Sequence, residues 1–214
     1  MSRAINAATL VDILKDAAVG WGRHSEELRQ LDSITGDGDL GVTVELASKA
    51  MTDYLNNPGE EDIGKLIMKC GMQINKASPS TFGTLLASAF MEAGKTVLGR
   101  KEIEVKDLAL VGQGAVDGLK KRGKAEVGDK TMLDSLVPAI EAYKRAIGNN
   151  TDDKIALGQA IEAAKKGMEA TKNMKAKYSR ASYRPDGGIG VQDAGATATY
   201  YLIESFARSL ITRI

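Results

Sequence analysis

Three aspartates lie close together early in the chain. In the segment LDSITGDGDLGV they are Asp32, Asp37 and Asp39, with glycines between and after them. Three carboxylates so close in sequence repel one another unless a cation neutralises them, and the glycines allow the sharp turns that bring them together. Hard oxygen ligands of this kind suit Mg²⁺, Ca²⁺ or Mn²⁺ rather than zinc or copper. The segment therefore predicts a divalent-cation site.

The spacing of these acids narrows the choice of cation. An EF-hand loop needs a ligand at its third position and a glutamate at its twelfth. Counted from the first aspartate, these positions hold Ile34 and Thr43, and counted from the second, the twelfth position holds Ser48. Mg²⁺ takes few carboxylates and completes its shell with water and phosphate oxygens. We therefore expect Mg²⁺ shared with a phosphate ligand, and the alternative is an Asp/Gly turn whose last acid caps the next helix.

Helices are predicted to position this segment. Aromatic residues make up only 5% of the sequence, and apolar residues recur at helical spacing along most of it. No run of strict alternation indicates a strand. We predict an all-α protein with a single domain over residues 1–214 and eight helices, near residues 6–31, 40–55, 61–76, 81–98, 104–122, 131–148, 152–173 and 190–212.

The composition argues against several classes of protein. With 29 basic and 28 acidic residues there is no basic excess of the kind that nucleic-acid binding requires. The single cysteine, Cys70, and the single histidine, His24, exclude a site built from several thiols or imidazoles. The N-terminus lacks the apolar core of a signal peptide, and no segment approaches the length of a membrane helix. We expect a cytoplasmic protein that binds neither nucleic acid nor membrane.

Four segments in the same order resemble the nucleotide-binding (L) subunit of dihydroxyacetone kinases. They are LD-x₄-GDGD-x-G, ASPSTFGTLLASAF, VGDKTMLDSLVPA and RASYRPDGGIGVQDAGATATYYL. The resemblance extends from about residue 28 to about residue 205 and so covers most of the chain. It implies a barrel of eight antiparallel helices with the nucleotide at one end. Two Mg²⁺ ions would bridge the phosphates of ADP or ATP to the three aspartates.

The resemblance also assigns residues to the nucleotide. Residues 40–43 follow the metal ligands and begin the second predicted helix, and residues 77 and 78 open the fourth. At these helix starts, backbone N–H groups would be offered to phosphate. Two others match positions near the adenine, where methionine is a common apolar cover. The assigned residues are Leu40, Gly41, Val42, Thr43, Ala77, Ser78, Gly123, Met132, Arg180, Asp193, Ala194 and Gly195. The implied role is to position phosphate, and no residue is assigned to covalent catalysis.

This sequence departs from the family pattern at two places. Many members carry histidine where this chain has Leu40, so a side-chain hydrogen bond to phosphate is lost there. Where the family more often reads Ser-Gly-Pro-Leu, this chain has Pro79 directly after the serine, and proline lacks an N–H. The hydroxyl groups of Ser80 and Thr81 are the candidates to compensate.

The resemblance implies an enzyme that acts only with a partner. A separate K subunit would hold the keto sugar, and the donor would be either ATP or a phosphotransferase-system protein, the M subunit. A separate small chain slightly favours the second arrangement. The alternatives are the nucleotide module of another kinase of this fold (for another keto sugar or for a fatty acid), an ADP-dependent co-regulator of a transcription factor, and a helical calcium-binding or scaffold domain.

Overall fold

The computed structural model describes residues 4–214, which form nine α-helices and one two-stranded sheet. Three short 3₁₀ turns, at Val105–Asp107, Thr171–Asn173 and Arg180–Tyr183, add to them. The strands are β1 (Ala4–Asn6) and β2 (Glu102–Glu104). The helices are α1 (Ala7–Gly22), α2 (Ser25–Thr35), α3 (Leu40–Leu55), α4 (Ile63–Ala77), α5 (Thr81–Lys95), α6 (Leu108–Gly123), α7 (Leu133–Gly148), α8 (Asp153–Ala170) and α9 (Ala194–Ile211).

Eight of these helices close a ring. In the order α1, α3, α4, α5, α6, α7, α8 and α9, each helix packs on the next, and α9 packs back on α1. The connections after α2, α4, α6 and α8 border one pocket, whereas β1, which precedes α1, pairs with β2 near the start of α6. Successive helices of the ring therefore run in alternating directions, and the prediction of an all-α helical barrel is confirmed.

The helix α2 lies outside the ring, where it packs on α3 and α9. The sequence predicted one helix over residues 6–31, which was wrong, because the chain turns at Arg23 and His24 between α1 and α2. Trp21 is fully buried at the end of α1, and its Nε1 donates to the Ala198 carbonyl of α9 at 2.8 Å. A straight continuation would carry the following residues past the barrel, whereas the turn lets α2 cover its end.

The two strands are also absent from the sequence prediction. They have three residues each and pair antiparallel, with Ile5 opposite Ile103. Both isoleucines are almost completely buried, so the sheet seals the end of the barrel away from the pocket. Strands this short are below the length at which alternation can be recognised.

The interior of the ring is apolar. One cluster of buried side chains draws on all nine helices, and it surrounds a cavity of about 220 Å³ with an almost wholly apolar lining. Within residues 4–214, no helix combines the length and the apolar character needed to cross a membrane. Polar and charged side chains line a different cavity, at the end where the connections after α2, α4, α6 and α8 meet.

Candidate functional site

The three aspartates come together at the open end of the barrel. Asp32 lies in the last turn of α2, Asp37 in the α2–α3 connection, and Asp39 directly before α3. One carboxylate oxygen from each lies within 4.8 Å of the other two. The Asp39 carboxylate makes no capping hydrogen bond to the first turn of α3, so helix capping does not explain its position. Three hard oxygen donors at this separation fit a divalent cation such as Mg²⁺.

The backbone between the acids is tightly turned. The N–H of Gly36 donates to the Asp32 carbonyl at 2.6 Å, and the N–H of Leu40 donates to the Asp32 carboxylate at 3.3 Å. A side chain at Gly36 would place its Cβ 2.4 Å from that carboxylate. Gly38 has a φ of +76°, which favours glycine. These glycines allow the connection to fold back so that all three carboxylates face one point.

The cluster carries more negative charge than its surroundings neutralise. Burial, together with the carboxylates of Asp37 and Asp32, raises the pKa of Asp39 above its usual range. Arg180 lies 2.5 Å from Asp37 and opposes this effect. Its side chain is 67% exposed, so solvent screens much of its attraction. A bound divalent cation would supply the compensation that this one guanidinium does not.

Beside the acids lies a cavity of about 420 Å³. Phe82, Leu85 and Met132 form an apolar part of its lining, and the three aspartates form an acidic part. Nine residues predicted from the sequence border this cavity: Asp32, Asp37, Asp39, Leu40, Met132, Arg180, Asp193, Ala194 and Gly195. The structure thus brings together side chains from segments more than 150 residues apart.

Other predicted nucleotide residues lie away from the cavity lining. Val42 is 49% exposed on α3, and Gly41 faces α2, where a Cβ would lie 2.2 Å from the Ser25 carbonyl. Ala77 ends α4, and Gly123 ends α6. Gly41 therefore serves the close packing of α2 on α3, Ala77 and Gly123 lie at helix ends, and the two glycines can contact a ligand only through the backbone.

Thr43 and Ser78 are buried beneath the start of α5. The Ser78 hydroxyl donates to Thr43 Oγ1 at 3.1 Å, and the Thr43 hydroxyl donates to Ser80 Oγ at 3.1 Å. Ser80 in turn caps α5 by accepting the N–H of Gly83 at 3.1 Å. This chain of hydroxyls fixes the start of α5 beside the cavity, directly after the exposed Pro79. Ser80 and Thr81 both line the cavity.

The sequence analysis missed several residues of the cavity. Ser179 lines it, and its hydroxyl is buried with no hydrogen-bond partner within residues 4–214. Lys130 and Thr131 also line it. Lys130 and Thr131 fall inside the VGDKTMLDSLVPA segment, and its resemblance to the family was the only sign in the sequence that they lie near the site. Nothing local in the sequence shows that the lysine turns inward.

Asp193 caps α9 at the edge of the cavity. Its carboxylate accepts the N–H of Ala196 at 2.7 Å, and its own N–H donates to Thr171 Oγ1 at 2.9 Å. Burial raises the pKa of Asp193 to about 7, although the Ala196 N–H and the charge of Lys130 oppose the shift. Below about pH 7, the folded protein therefore favours the protonated carboxyl of Asp193.

This pKa predicts a pH-dependent contribution to stability. The unfolded chain releases the Asp193 proton near pH 4, whereas the folded protein holds it up to about pH 7. The free energy of unfolding should therefore fall as pH rises between these values. Asp193→Asn keeps the cap without the titration, so from pH 5 to pH 7 it should lose on the order of 2 kcal/mol less stability than the unchanged protein.

Urea unfolding of the nucleotide-free protein at pH 5, 6 and 7 measures this difference. Asp53→Asn, at an exposed position of α3, is the matched control and should follow the unchanged protein. Parallel stability profiles for Asp193→Asn and the unchanged protein would contradict the prediction.

Fold and site together define a class of protein: a helical barrel with a carboxylate cluster and a partly apolar cavity at one end. Comparison with known proteins specifies it further. Residues 34–208 match the DAK2 domain family. The chain therefore belongs to the DAK2 domain family, and the resemblance to the L subunit predicted from the sequence is confirmed.

Two curated relatives match almost end to end. The PEP-dependent dihydroxyacetone kinase, ADP-binding subunit DhaL, of Escherichia coli (strain K12) is 31% identical over 187 residues, which cover 87% of this chain and 89% of that protein. The ADP-binding subunit DhaL of PEP-dependent dihydroxyacetone kinase 2 from Listeria innocua is 27% identical and covers 96% of both chains.

A solved structure shares the fold. The crystal structure of the dihydroxyacetone kinase from C. freundii in complex with AMP-PNP and Mg²⁺ matches with a TM-score of 0.71 at 23% identity. The match covers 98% of this chain but 35% of that longer chain. At this identity the likeness establishes the helical fold of this chain and nothing about its activity.

Proposed function

We propose that this chain is the nucleotide-binding subunit of a dihydroxyacetone-type kinase. It binds ADP or ATP with Mg²⁺ at the open end of the barrel and presents the phosphates to a keto sugar held by a partner. The observation that carries this proposal is that three carboxylates lie within 4.8 Å of one another in the lining of a 420 Å³ cavity that apolar side chains also line.

The two sides of the cavity suit the two ends of a nucleotide. Asp32, Asp37 and Asp39 would hold two Mg²⁺ ions, and three carboxylates leave coordination positions for phosphate oxygens and water. The bound ions would neutralise charge on the phosphates, which is most of what phosphoryl transfer requires. Phe82 and Met132 line the apolar side, where a flat adenine ring would be desolvated. A cation bound to Asp37 would break the Arg180–Asp37 ion pair, and the freed Arg180 would then contact phosphate.

The sugar is assigned to a separate K subunit. The only histidine of the sequence, His24, stacks on Tyr201 with ring centres 3.6 Å apart and contacts Glu27 at 3.3 Å. It is not among the residues that line the cavity. The resemblance to dihydroxyacetone kinases implies that the K subunit holds the keto sugar covalently on a histidine. Because His24 does not line the cavity, that histidine would come from the partner, which supports a two-subunit reaction.

The phosphate source is proposed to be a phosphotransferase-system M subunit acting on retained ADP. The two DhaL relatives described above are named PEP-dependent and ADP-binding, which supports this arrangement over free exchange of ATP. Retained ADP should then co-purify with the protein, and native mass spectrometry would detect it.

Thermal melts test nucleotide binding directly. ADP or ATP together with Mg²⁺ should raise the Tm of the protein by mass action, by several degrees at a ligand concentration about 100 times the Kd. Mg²⁺ alone or AMP with Mg²⁺ should give a much smaller shift. A protein that responds to the cation but not to the nucleotide would instead be a metal-binding scaffold.

Phosphoryl transfer tests the kinase assignment. The protein is combined with a K subunit from a dihydroxyacetone kinase and dihydroxyacetone, with either ATP or a phosphorylated M subunit as donor. Sugar phosphate should form only when this chain and the K subunit are both present. Nucleotide binding without transfer to any keto sugar would restrict the conclusion to binding and reject the kinase.

A further inference from the structure

Lys130 is a buried lysine at the edge of the cavity. It is 1% exposed and has a φ of +62° in the connection between α6 and α7. Lysine is almost never fully buried unless its charge is paired or its hydrogen bonds are satisfied. A left-handed backbone at a residue other than glycine adds a further cost. The burial of the Lys130 side chain therefore requires stabilising contacts from other segments of the fold.

The ammonium group of Lys130 is fully occupied. Its Nζ donates to the carbonyls of Thr171 at 2.7 Å, Gly188 at 2.9 Å and Val191 at 2.6 Å. An ammonium has three N–H donors and no acceptor, so none remains for a phosphate. Although Lys130 lines the cavity, its chemistry here is to hold protein backbone.

Two of the three carbonyls belong to a segment that lines the cavity. Thr171 lies at the end of α8, and Gly188 and Val191 lie in the connection to α9, residues 174–193, which we call the cover segment. This segment carries Arg180 at the acidic cluster and ends at Asp193. The cover segment has little regular structure beyond one short 3₁₀ turn. One side chain from the α6–α7 connection thus ties two points of the cover segment to the end of α8.

The buried Asp134 carboxylate fixes the turn that orients the Lys130 side chain. The Asp134 carboxylate, 1% exposed, accepts the N–H of Gly128 at 2.5 Å and that of Thr131 at 2.6 Å. These bonds close the turn on both sides of Lys130 and fix its left-handed backbone. Met132, two residues further on, lines the apolar side of the cavity. The same turn therefore sets the cavity wall and directs the ammonium toward the cover segment.

We propose that Lys130 is a positioning residue for nucleotide binding: it fixes the cover segment so that Arg180 and Asp193 border the cavity, without itself touching the ligand. The inference rests on the proposed nucleotide function. It separates two parts of the site, because the three metal-ligand aspartates lie on the α2–α3 side and are not tied by this lysine. Loss of the ammonium should therefore weaken nucleotide binding more than it weakens the binding of a metal ion in the absence of nucleotide.

Lys130→Met tests this separation, since methionine keeps an unbranched apolar chain but donates to none of the three carbonyls. The Thr171 and Gly188 carbonyls keep one backbone donor each, from the N–H groups of Met174 and Val191, whereas the Val191 carbonyl loses the lysine as its donor. ADP–Mg²⁺ affinity, measured by calorimetry on the full chain, should fall at least tenfold. Mn²⁺ affinity in the absence of nucleotide, measured by electron paramagnetic resonance, should stay within about threefold of the unchanged protein. Amide hydrogen exchange should become faster in residues 176–191. Lys172→Met, an exposed position in the adjoining turn, should change none of the three.

A second measurement covers loss of folding. In Lys130→Ala, added propylammonium replaces the three deleted methylenes and the ammonium, and it should restore ADP–Mg²⁺ affinity and slow exchange in residues 176–191. Tetramethylammonium at equal concentration should not. Unchanged nucleotide affinity in Lys130→Met, or a joint loss of Mn²⁺ and nucleotide binding without rescue, would overturn the proposal. If the unchanged protein binds no nucleotide, the proposed function fails, while the exchange rates still report on the lysine.

Discussion

Asp37→Ala is expected to reduce the affinity for ADP–Mg²⁺ by at least 100-fold, about 2.7 kcal/mol. Asp37 supplies one of the three carboxylate oxygens that lie within 4.8 Å of one another. Two remaining carboxylates cannot neutralise and orient two cations together with a diphosphate. The substitution also frees Arg180 from its ion pair, but its single positive charge does not replace the divalent cations that the carboxylate helps to coordinate.

The same substitution should leave folding nearly unchanged. The Asp37–Arg180 pair is exposed, so its loss costs little, and removal of one carboxylate relieves repulsion on Asp39. Calorimetry with ADP–Mg²⁺ gives the affinity, and thermal melts in EDTA give the stability. Asp53→Ala, an exposed acid on α3, is the control and should bind normally. An Asp37→Ala protein with unchanged nucleotide affinity would remove the basis of the kinase assignment.

Gly41→Ala is expected to destabilise the protein by about 3 kcal/mol and to abolish metal binding. A Cβ at Gly41 would lie 2.2 Å from the Ser25 carbonyl and 2.8 Å from the Arg29 nitrogen. Both are backbone atoms of α2, so no side-chain rotation relieves the overlap, and overpacking of this kind forces backbone shifts. α2 must move away from α3, and it would carry Asp32 away from Asp39.

A matched glycine elsewhere separates this steric effect from helix propensity. Gly158 lies within α8, and a Cβ there would meet nothing within 4 Å. Gly158→Ala should therefore stabilise the protein by about 0.5–1 kcal/mol. Urea unfolding and Mn²⁺ titration of both variants give the comparison. If Gly41→Ala were as stable as the unchanged protein and bound Mn²⁺ normally, the close contact between α2 and α3 would not govern the metal site.

The two departures from the family pattern have local structural explanations. The Leu40 side chain is 6% exposed, and its backbone N–H donates to the Asp32 carboxylate, so the residue supports the acidic connection between α2 and α3 through its backbone. After Pro79, the hydroxyl of Ser80 caps α5 and is itself fixed by Thr43. The start of α5 is therefore ordered without the N–H that the proline lacks.

Local sequence determined the helices and the metal-ligand candidates. Apolar periodicity was sufficient for seven of the eight predicted helices, because each buries one face and the repeat is a property of the segment itself. The cluster of Asp32, Asp37 and Asp39 was also visible, since three acids separated by glycines depend on short-range spacing alone. The break between α1 and α2 was missed because apolar spacing alone does not mark it. The nearby bond from Trp21 to α9 joins residues 177 positions apart, so no local pattern shows it either.

Only the tertiary structure decided which residues share the cavity and what holds its cover segment. Lys130 reads as an ordinary charged residue in the sequence, yet its ammonium meets carbonyls 41, 58 and 61 positions away. Ser179 and Phe82 likewise meet only in the folded barrel. The sequence of one segment specifies its own backbone preferences and its apolar face, whereas a buried polar contact depends on groups from distant segments that become neighbours only when the ring closes.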